Sequence, residues 1–194
     1  MNYEPRLSDA DLAGAACRGD QKAFAALMQR HKTWLYHFIR RYVANRDDAY
    51  DVLQESFVSA WSALSRYDRA RPIEAWLRRI ALNKCRDRAR RNAVRRAAQQ
   101  FLVTAGFGQE TVAAPDASPM PQRALQHLES AISGLPRQLK EPLILTALEG
   151  LSQKDAGEIL GISAKSVETR VYRAKRRLAT VLDPADLTDL RDPD

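Results

Sequence analysis

Cysteine is scarce in this chain: Cys17 and Cys85 are the two thiols in 194 residues, far apart and in no metal-ligand spacing. That argues against a disulfide framework or a cysteine-built metal site and fits two reduced thiols. Glycine and proline are few, at eight and nine, and the prolines fall mostly in two clusters, which leaves long stretches free to be helical. No segment alternates apolar and polar residues over a useful length, so no sheet is expected. No apolar run approaches the roughly 20 residues of a membrane span, and the N-terminus has no signal-peptide core. The expectation is a soluble, cytoplasmic protein without membrane insertion. The three histidines, His31, His37 and His127, follow no ligand spacing. The acids Asp47, Asp48, Asp51 and Glu55 spread along one helix with no second cluster to complete a metal site. No metal, cofactor or catalytic constellation is expected, and the chain does not read as an enzyme.

What the sequence has is hydrophobic content sufficient for a core, 45%, and a net charge of +7 that is unevenly placed. From Arg78 to Arg96 nine basic residues meet one acid, Asp87, a local balance larger than that of the whole chain. From Lys165 to Arg177 six basic residues meet one acid, Glu168. After Leu182 the sign reverses, with five aspartates against one arginine. Either basic run alone could be a solvated helix face; two of them, each in a helical pattern, are the footprint of a polyanion partner.

The periodicity predicts an all-α protein of two small helical domains. Ser8 caps a short helix ending near Gly19, and Asp20 caps the next. Phe24, Leu27, Met28, His31, Leu35, Phe38, Ile39 and Tyr42 make one buried stripe. Val52, Phe57, Trp61 and Leu64 make a second; Ile73, Trp76, Leu77 and Ile80 make a third, whose helix runs on into the basic segment. Residues 97–122 read as a linker: no Lys or Arg occurs from Gln99 to Met120, and AAPDASPMP holds three prolines in nine residues. Phe101, Leu102, Val103 and Phe107 are apolar enough for part of it to pack on a domain or partner. Domain boundaries of 1–96 and 123–182 follow, with 183–194 an acidic tail. In the second domain Leu125, Leu128 and Ile132 lead to a stripe of Leu139, Leu143, Ile144, Ala147 and Leu148, with Gly150 as the stop. Pro142 either starts or kinks that helix.

The most specific pattern is LSQKDAGEILGISAKSVETRVYRAKRRL, Leu151 to Leu178. Ser152 with Asp155 forms a capping box, Gly161 makes a turn, and Ser163 caps a second helix. Val167, Val171, Ala174 and Leu178 face inward, which leaves Lys165, Ser166, Glu168, Thr169, Tyr172, Arg173 and Arg176 outward. That is a helix-turn-helix, whose second helix enters the major groove of DNA. A bare helical hairpin with a glycine turn is the alternative, and the outward basic face weighs against it.

Taken in order, the motifs DDAYDVLQESFVSAWSAL (Asp47–Leu64), WLRRIALNKCRDRARR (Trp76–Arg91) and LPRQLKEPLILTALEGLS (Leu135–Ser152), the last running into the helix-turn-helix, resemble those of the extracytoplasmic-function sigma factors of the sigma-70 family. The resemblance implies two DNA-contacting domains and no chemistry of the chain's own. Asp48, Asp51, Leu53, Gln54, Glu55 and Phe57 would dock on the coiled coil in the largest subunit of core RNA polymerase. Tyr67, Arg71, Arg79, Asn83, Arg86, Arg90 and Arg91 would engage the −10 element of promoter DNA, with Asn83 and the Arg66–Arg71 loop holding a flipped base. Lys165, Ser166, Glu168, Thr169, Arg170, Tyr172, Arg173 and Arg176 would read the −35 element. An anti-sigma factor is the further partner implied. Trp76 lies on the apolar stripe and is expected in the core. Ile73, Gly157 and Glu168 depart from the pattern; Gly157 carries a helix cost of about 0.8–1.0 kcal/mol relative to alanine. Two other classes stand beside this one. A plain helix-turn-helix regulator leaves the first two motifs unexplained. A recombinase or nuclease needs a carboxylate or nucleophile cluster that the sequence does not show.

Overall fold

The computed structural model describes residues 7–43, 45–104 and 120–182. Among them every regular element is helical: α1 (Asp9–Cys17), α2 (Gln21–Tyr42), α3 (Arg46–Ala63), a 3₁₀ turn (Leu64–Arg66), α4 (Ile73–Thr104), α5 (Met120–Ser133), α6 (Arg137–Leu143), a π-helical turn (Ile144–Leu148), α7 (Gln153–Leu160) and α8 (Ala164–Ala179). The expected caps form. Ser8 and Asp11 make a reciprocal capping box, Asp20 accepts from Lys22 and Ala23 N–H, and Asn45 accepts from Asp48 N–H. Each satisfies helix-end amides that would otherwise lack partners.

Helices α1 to α4 pack around the α2 stripe. Leu27, Leu35, Phe38, Ile39 and Tyr42 are buried against Val52, Leu53, Phe57, Ile73, Leu77 and Leu82. A large aliphatic side chain so buried contributes about 1.5–3 kcal/mol. The polar member of the stripe, His31, is only 3% exposed and fully bonded. The Trp34 indole N–H donates to His31 Nδ1 at 2.7 Å, and Nε2 lies 2.9 Å from an Asp9 carboxylate oxygen. Because an indole nitrogen only donates, Nδ1 is the acceptor from Trp34 in this network. It ties α1 to α2. Trp76 is half-buried, stacked at 5.0 Å on Tyr67.

The second domain corrects one expected stripe. Pro142 lies inside α6 and lacks the N–H that would continue its ladder. The chain passes into the π-turn, where Glu149 N–H reaches back five residues to the Ile144 carbonyl at 2.9 Å. The extra residue in that turn rotates the register. Leu143, Ile144 and Leu145 are buried, while Ala147 and Leu148, expected inside, are exposed.

Helices α7 and α8 meet at a tight turn. Gly161 takes φ +70°, a left-handed conformation open to glycine at no steric cost. Gly157 has ordinary helical geometry, but a Cβ there would lie 2.6 Å from the Ile162 carbonyl oxygen. The glycine that reads as a helix penalty in the sequence is what lets the turn close on α7. α4 continues to Thr104 with Phe101 and Leu102 exposed. The Val103 and Leu125 side chains, Phe107, most of the proline-rich stretch and the 183–194 tail lie outside the described residues.

Candidate nucleic-acid interface

On α8 the inward positions are Val167 and Ala174, fully buried, with Val171 and Leu178 partly so. Ser163 accepts from Ser166 N–H and starts the helix. Lys165, Glu168, Thr169, Tyr172, Arg173 and Arg176 are exposed, while Ser166 and Arg170 are half-buried. Lys165 and Glu168 pair at 2.8 Å, so the one acid on this face is held by a neighbouring lysine. The remaining cations and hydroxyls form an open surface of the kind that fits a major groove.

On α4, Arg79, Asn83, Arg86 and Arg90 follow at spacings of four, three and four, which places them on one face. Arg91 belongs to a different face and donates to both Glu55 carboxylate oxygens at 3.1 Å. Tyr67 is buried: its hydroxyl donates to the Arg71 carbonyl at 2.6 Å and so shapes the loop. Burial raises its pKa, with the Asp9 charge adding to the effect. Arg71 itself is exposed and pairs with Asp68 at 3.5 Å.

Helix α3 presents two faces. Asp48, Asp51 and Glu55 line the side toward α4. Arg88 contacts Asp48 at 2.7 Å and also Asp51, and Asn92 donates to Asp48 at 2.7 Å. These acids are therefore partly spoken for within the domain, although Asp51 remains 57% exposed at its side chain. On the side toward α2, Leu53 and Phe57 are buried and Gln54 is exposed. Together with Phe24, Met28, Tyr50, Val58 and Trp61 they border an open apolar groove of about 770 Å³. Tyr50, Val58 and Trp61 are exposed there.

The two domains touch through ion pairs not foreseen from the sequence. Arg86 makes a two-pronged contact with Glu141, both bonds at 2.7 Å, and the Tyr42 hydroxyl donates to the same carboxylate at 3.2 Å. The Glu141 bond raises the Arg86 pKa, and burial beside Glu141 raises that of Tyr42. Glu149 takes Arg41 on one oxygen and Arg78, at 3.3 Å, on the other. Arg78 also lies over the Trp34 ring at 4.8 Å. Arg79 donates to the Glu158 carbonyl at 3.1 Å. Arg41 lies outside both basic runs, and the local partner of Glu141 is Arg137, four residues earlier at 3.9 Å, so nothing in the sequence marks the pairing across the domains.

Among the described residues one group could in principle gather a cation: Asp9, His31 and Glu74 have ligand atoms within 4.8 Å of one another. Both His31 nitrogens are already bonded and Asp9 also pairs with Arg30, so hydrogen bonding accounts for the arrangement. No helix among the described residues is long and apolar enough to cross a membrane.

The sequence matches Sigma-70 region 2 over residues 27–95 and Sigma-70 region 4 over residues 125–178. It is 38% identical to RNA polymerase sigma factor CnrH of Cupriavidus metallidurans, covering 92% of this chain and 96% of that one. With the ECF RNA polymerase sigma factor SigM of Mycobacterium tuberculosis it shares 31%, covering 90% and 85%. The chain belongs to the extracytoplasmic-function sigma factors. Region 2 of this sigma factor thus spans α2 to α4, and region 4 spans α5 to α8. A solved structure of CnrH with the cytosolic domain of CnrY superposes with a TM-score of 0.65 at 34% identity, covering 89% of this chain and 95% of that one. A sigma factor RpoE of Bartonella quintana in complex with the anti-sigma factor NepR gives 0.59 at 25% identity, over 82% and 96%. Sigma factors of this family are transcription initiation factors.

Proposed function

We propose that this sigma factor divides its work among three surfaces. The α2–α3 groove, with Leu53, Gln54 and Phe57 at its edge and Asp48, Asp51 and Glu55 beside it, docks on the coiled coil of the polymerase's largest subunit. The α4 stripe of Arg79, Asn83, Arg86 and Arg90, with the Arg66–Arg71 loop and Arg91, engages the −10 element. The exposed face of α8, from Lys165 to Arg176, reads the −35 element. In this reading residues 1–96 and 123–182 are the two working domains, and residues 97–122 connect them. An anti-sigma partner, of the kind present in the solved complexes of similar proteins, restrains the chain. The observation that carries the division is the co-facial spacing of Arg79, Asn83, Arg86 and Arg90 on one domain together with an open basic helix-turn-helix on the other.

The test is selection of promoter fragments from a randomised library by core polymerase carrying this chain. The wild type should enrich a two-part motif. Arg173→Ala with Arg176→Ala should lose information in the −35 half alone, and Asn83→Ala in the −10 half alone. Enrichment of a single-part motif, or enrichment that does not need polymerase, would instead make the chain a plain DNA-binding regulator.

A further inference from the structure

Three of the arginines at the domain contact, Arg86, Arg41 and Arg78, hold carboxylates of the second domain in the geometry that guanidinium groups use for phosphate. Arg86 grips Glu141 with two parallel bonds of 2.7 Å. Arg–carboxylate and Arg–phosphate pairs share this fork. Glu149 bridges Arg41 and Arg78, one on each oxygen, as a phosphate bridges two cations. Both acids are nearly enclosed, with 6% and 8% side-chain exposure. Such pairs persist only when each charge is closely matched, because the desolvation cost of either alone is high. The same contact closes over neighbouring groups. Arg86 Nη1 donates to Asn83 at 3.0 Å, Arg79 is tied to the α7 backbone, and Asn83, Arg86 and Arg90 face Leu135, Arg137 and Lys140 across a cleft.

We infer that Glu141 and Glu149 are built-in phosphate mimics by which the second domain covers the −10 face of the first, and that Arg41 and Arg78 are DNA-backbone contacts of that face alongside Arg86. The inference rests on the placement of the −10 surface on α4. In the closed chain these cations are already neutralised, so single-stranded DNA must displace a carboxylate for each phosphate it gains. Polymerase, by holding the two domains apart, would remove that competition, so the chain binds promoter DNA poorly until it is in the holoenzyme. The surface is specific to anions. It offers arginine forks and one exposed amide, Asn83, and the aromatic ring that lines the cleft, Tyr42, is buried with Lys140 Nζ 5.1 Å from its centre.

The experiment uses full-length chain without polymerase and a fluorescein-labelled single-stranded 15-mer of random sequence. Binding is read by anisotropy and domain separation by small-angle X-ray scattering. Glu141→Gln with Glu149→Gln should raise the radius of gyration and tighten DNA binding about tenfold or more. Glu149→Gln alone should fall between that variant and the wild type. Asp11→Asn with Asp47→Asn makes the same charge change at exposed positions on α1 and α3 and should alter affinity by no more than about threefold. Adding Arg41→Ala and Arg78→Ala to the opened variant should cancel most of the gain. An opened variant that binds no tighter than the Asp11/Asp47 control, or one with unchanged scattering, overturns the inference. So does a gain that survives loss of Arg41 and Arg78. Failure of the underlying reading looks different: Asn83→Ala would then leave the −10 half of the motif selected by the polymerase-bound chain intact, whatever the free chain does with DNA.

Discussion

Replacing Gly157 by alanine pits two local effects against each other. In an isolated helix the change favours folding by about 0.8–1.0 kcal/mol, because glycine loses more backbone freedom than alanine. In this structure the new Cβ would lie 2.6 Å from the Ile162 carbonyl oxygen. Ordinary contacts of carbon with carbonyl oxygen are about 3.3–3.6 Å, so the turn must retreat by roughly 0.7–1 Å. That oxygen belongs to the backbone, flanked by Gly161 at φ +70° and by Ser163, whose side chain caps α8. It cannot swing aside as a flexible side chain would. Overpacking costs about 1–3 kcal/mol, and with little means of relief this site lies in the upper part of that range, about 2–3, so the balance after the propensity gain is a loss of about 1–2 kcal/mol. Hydrogen exchange of the α8 amides reads the local opening energy directly and should show that loss. Gly134→Ala serves as the control: its Cβ would make contacts no closer than 3.5 Å, and stability should change by less than about 0.5 kcal/mol. If Gly157→Ala slows α8 exchange, propensity has won and the close-approach argument is wrong.

Other consequences are as direct. Ser163→Ala removes the side-chain acceptor for Ser166 N–H and should cost about 1 kcal/mol of second-domain stability by calorimetry, with the loss focused on the first turn of α8. Cys85 is buried, and that burial pushes its thiol pKa far above the ordinary value, with the Glu141 charge adding to it. Native protein therefore keeps the proton while unfolded chain releases it above a pH of about 8.5, so stability should fall as pH rises past that point, by up to about 1.4 kcal/mol per unit. Below that pH both states are protonated and the thiol contributes no slope. Cys85→Ala should flatten the alkaline limb of a denaturant-stability profile; an unchanged limb would mean that the thiol is not the titrating group.

How much was legible in the sequence depends on how local each feature is. Ser8, Asp20, Ser152 and Ser163 were readable as caps because each acts within three residues of itself. The inward set of α8, Val167, Val171, Ala174 and Leu178, followed from helical period alone, as did the α2 stripe with its buried histidine. The π-turn after Pro142 was not readable. Periodicity assumes a constant turn, and the inserted residue carried Ala147 and Leu148 out to solvent. Gly157 appeared as a cost because its partner, the Ile162 backbone, has no side-chain signature. The ion pairs were the least visible. Asp48 and Asp51 meet Arg88 about 40 residues away, and Glu141 meets Arg86 at a separation of 55. An acidic helix face looks the same in sequence whether it is solvated, paired to a neighbouring helix or kept for another protein. The sigma-factor resemblance supplied what local patterns lacked, the order of three motifs around a proline-rich stretch.

The most direct test of the account is runoff transcription by purified bacterial core polymerase, with and without this chain, on candidate promoters. The account expects transcripts that require the chain. They should vanish when Asp51→Asn and Glu55→Gln remove the charges flanking the docking groove, although the variant folds. DNA binding by the wild type with no initiation would contradict the claim that this chain works as a polymerase subunit. Full transcription by the double variant would remove the acidic face of α3 from the docking surface.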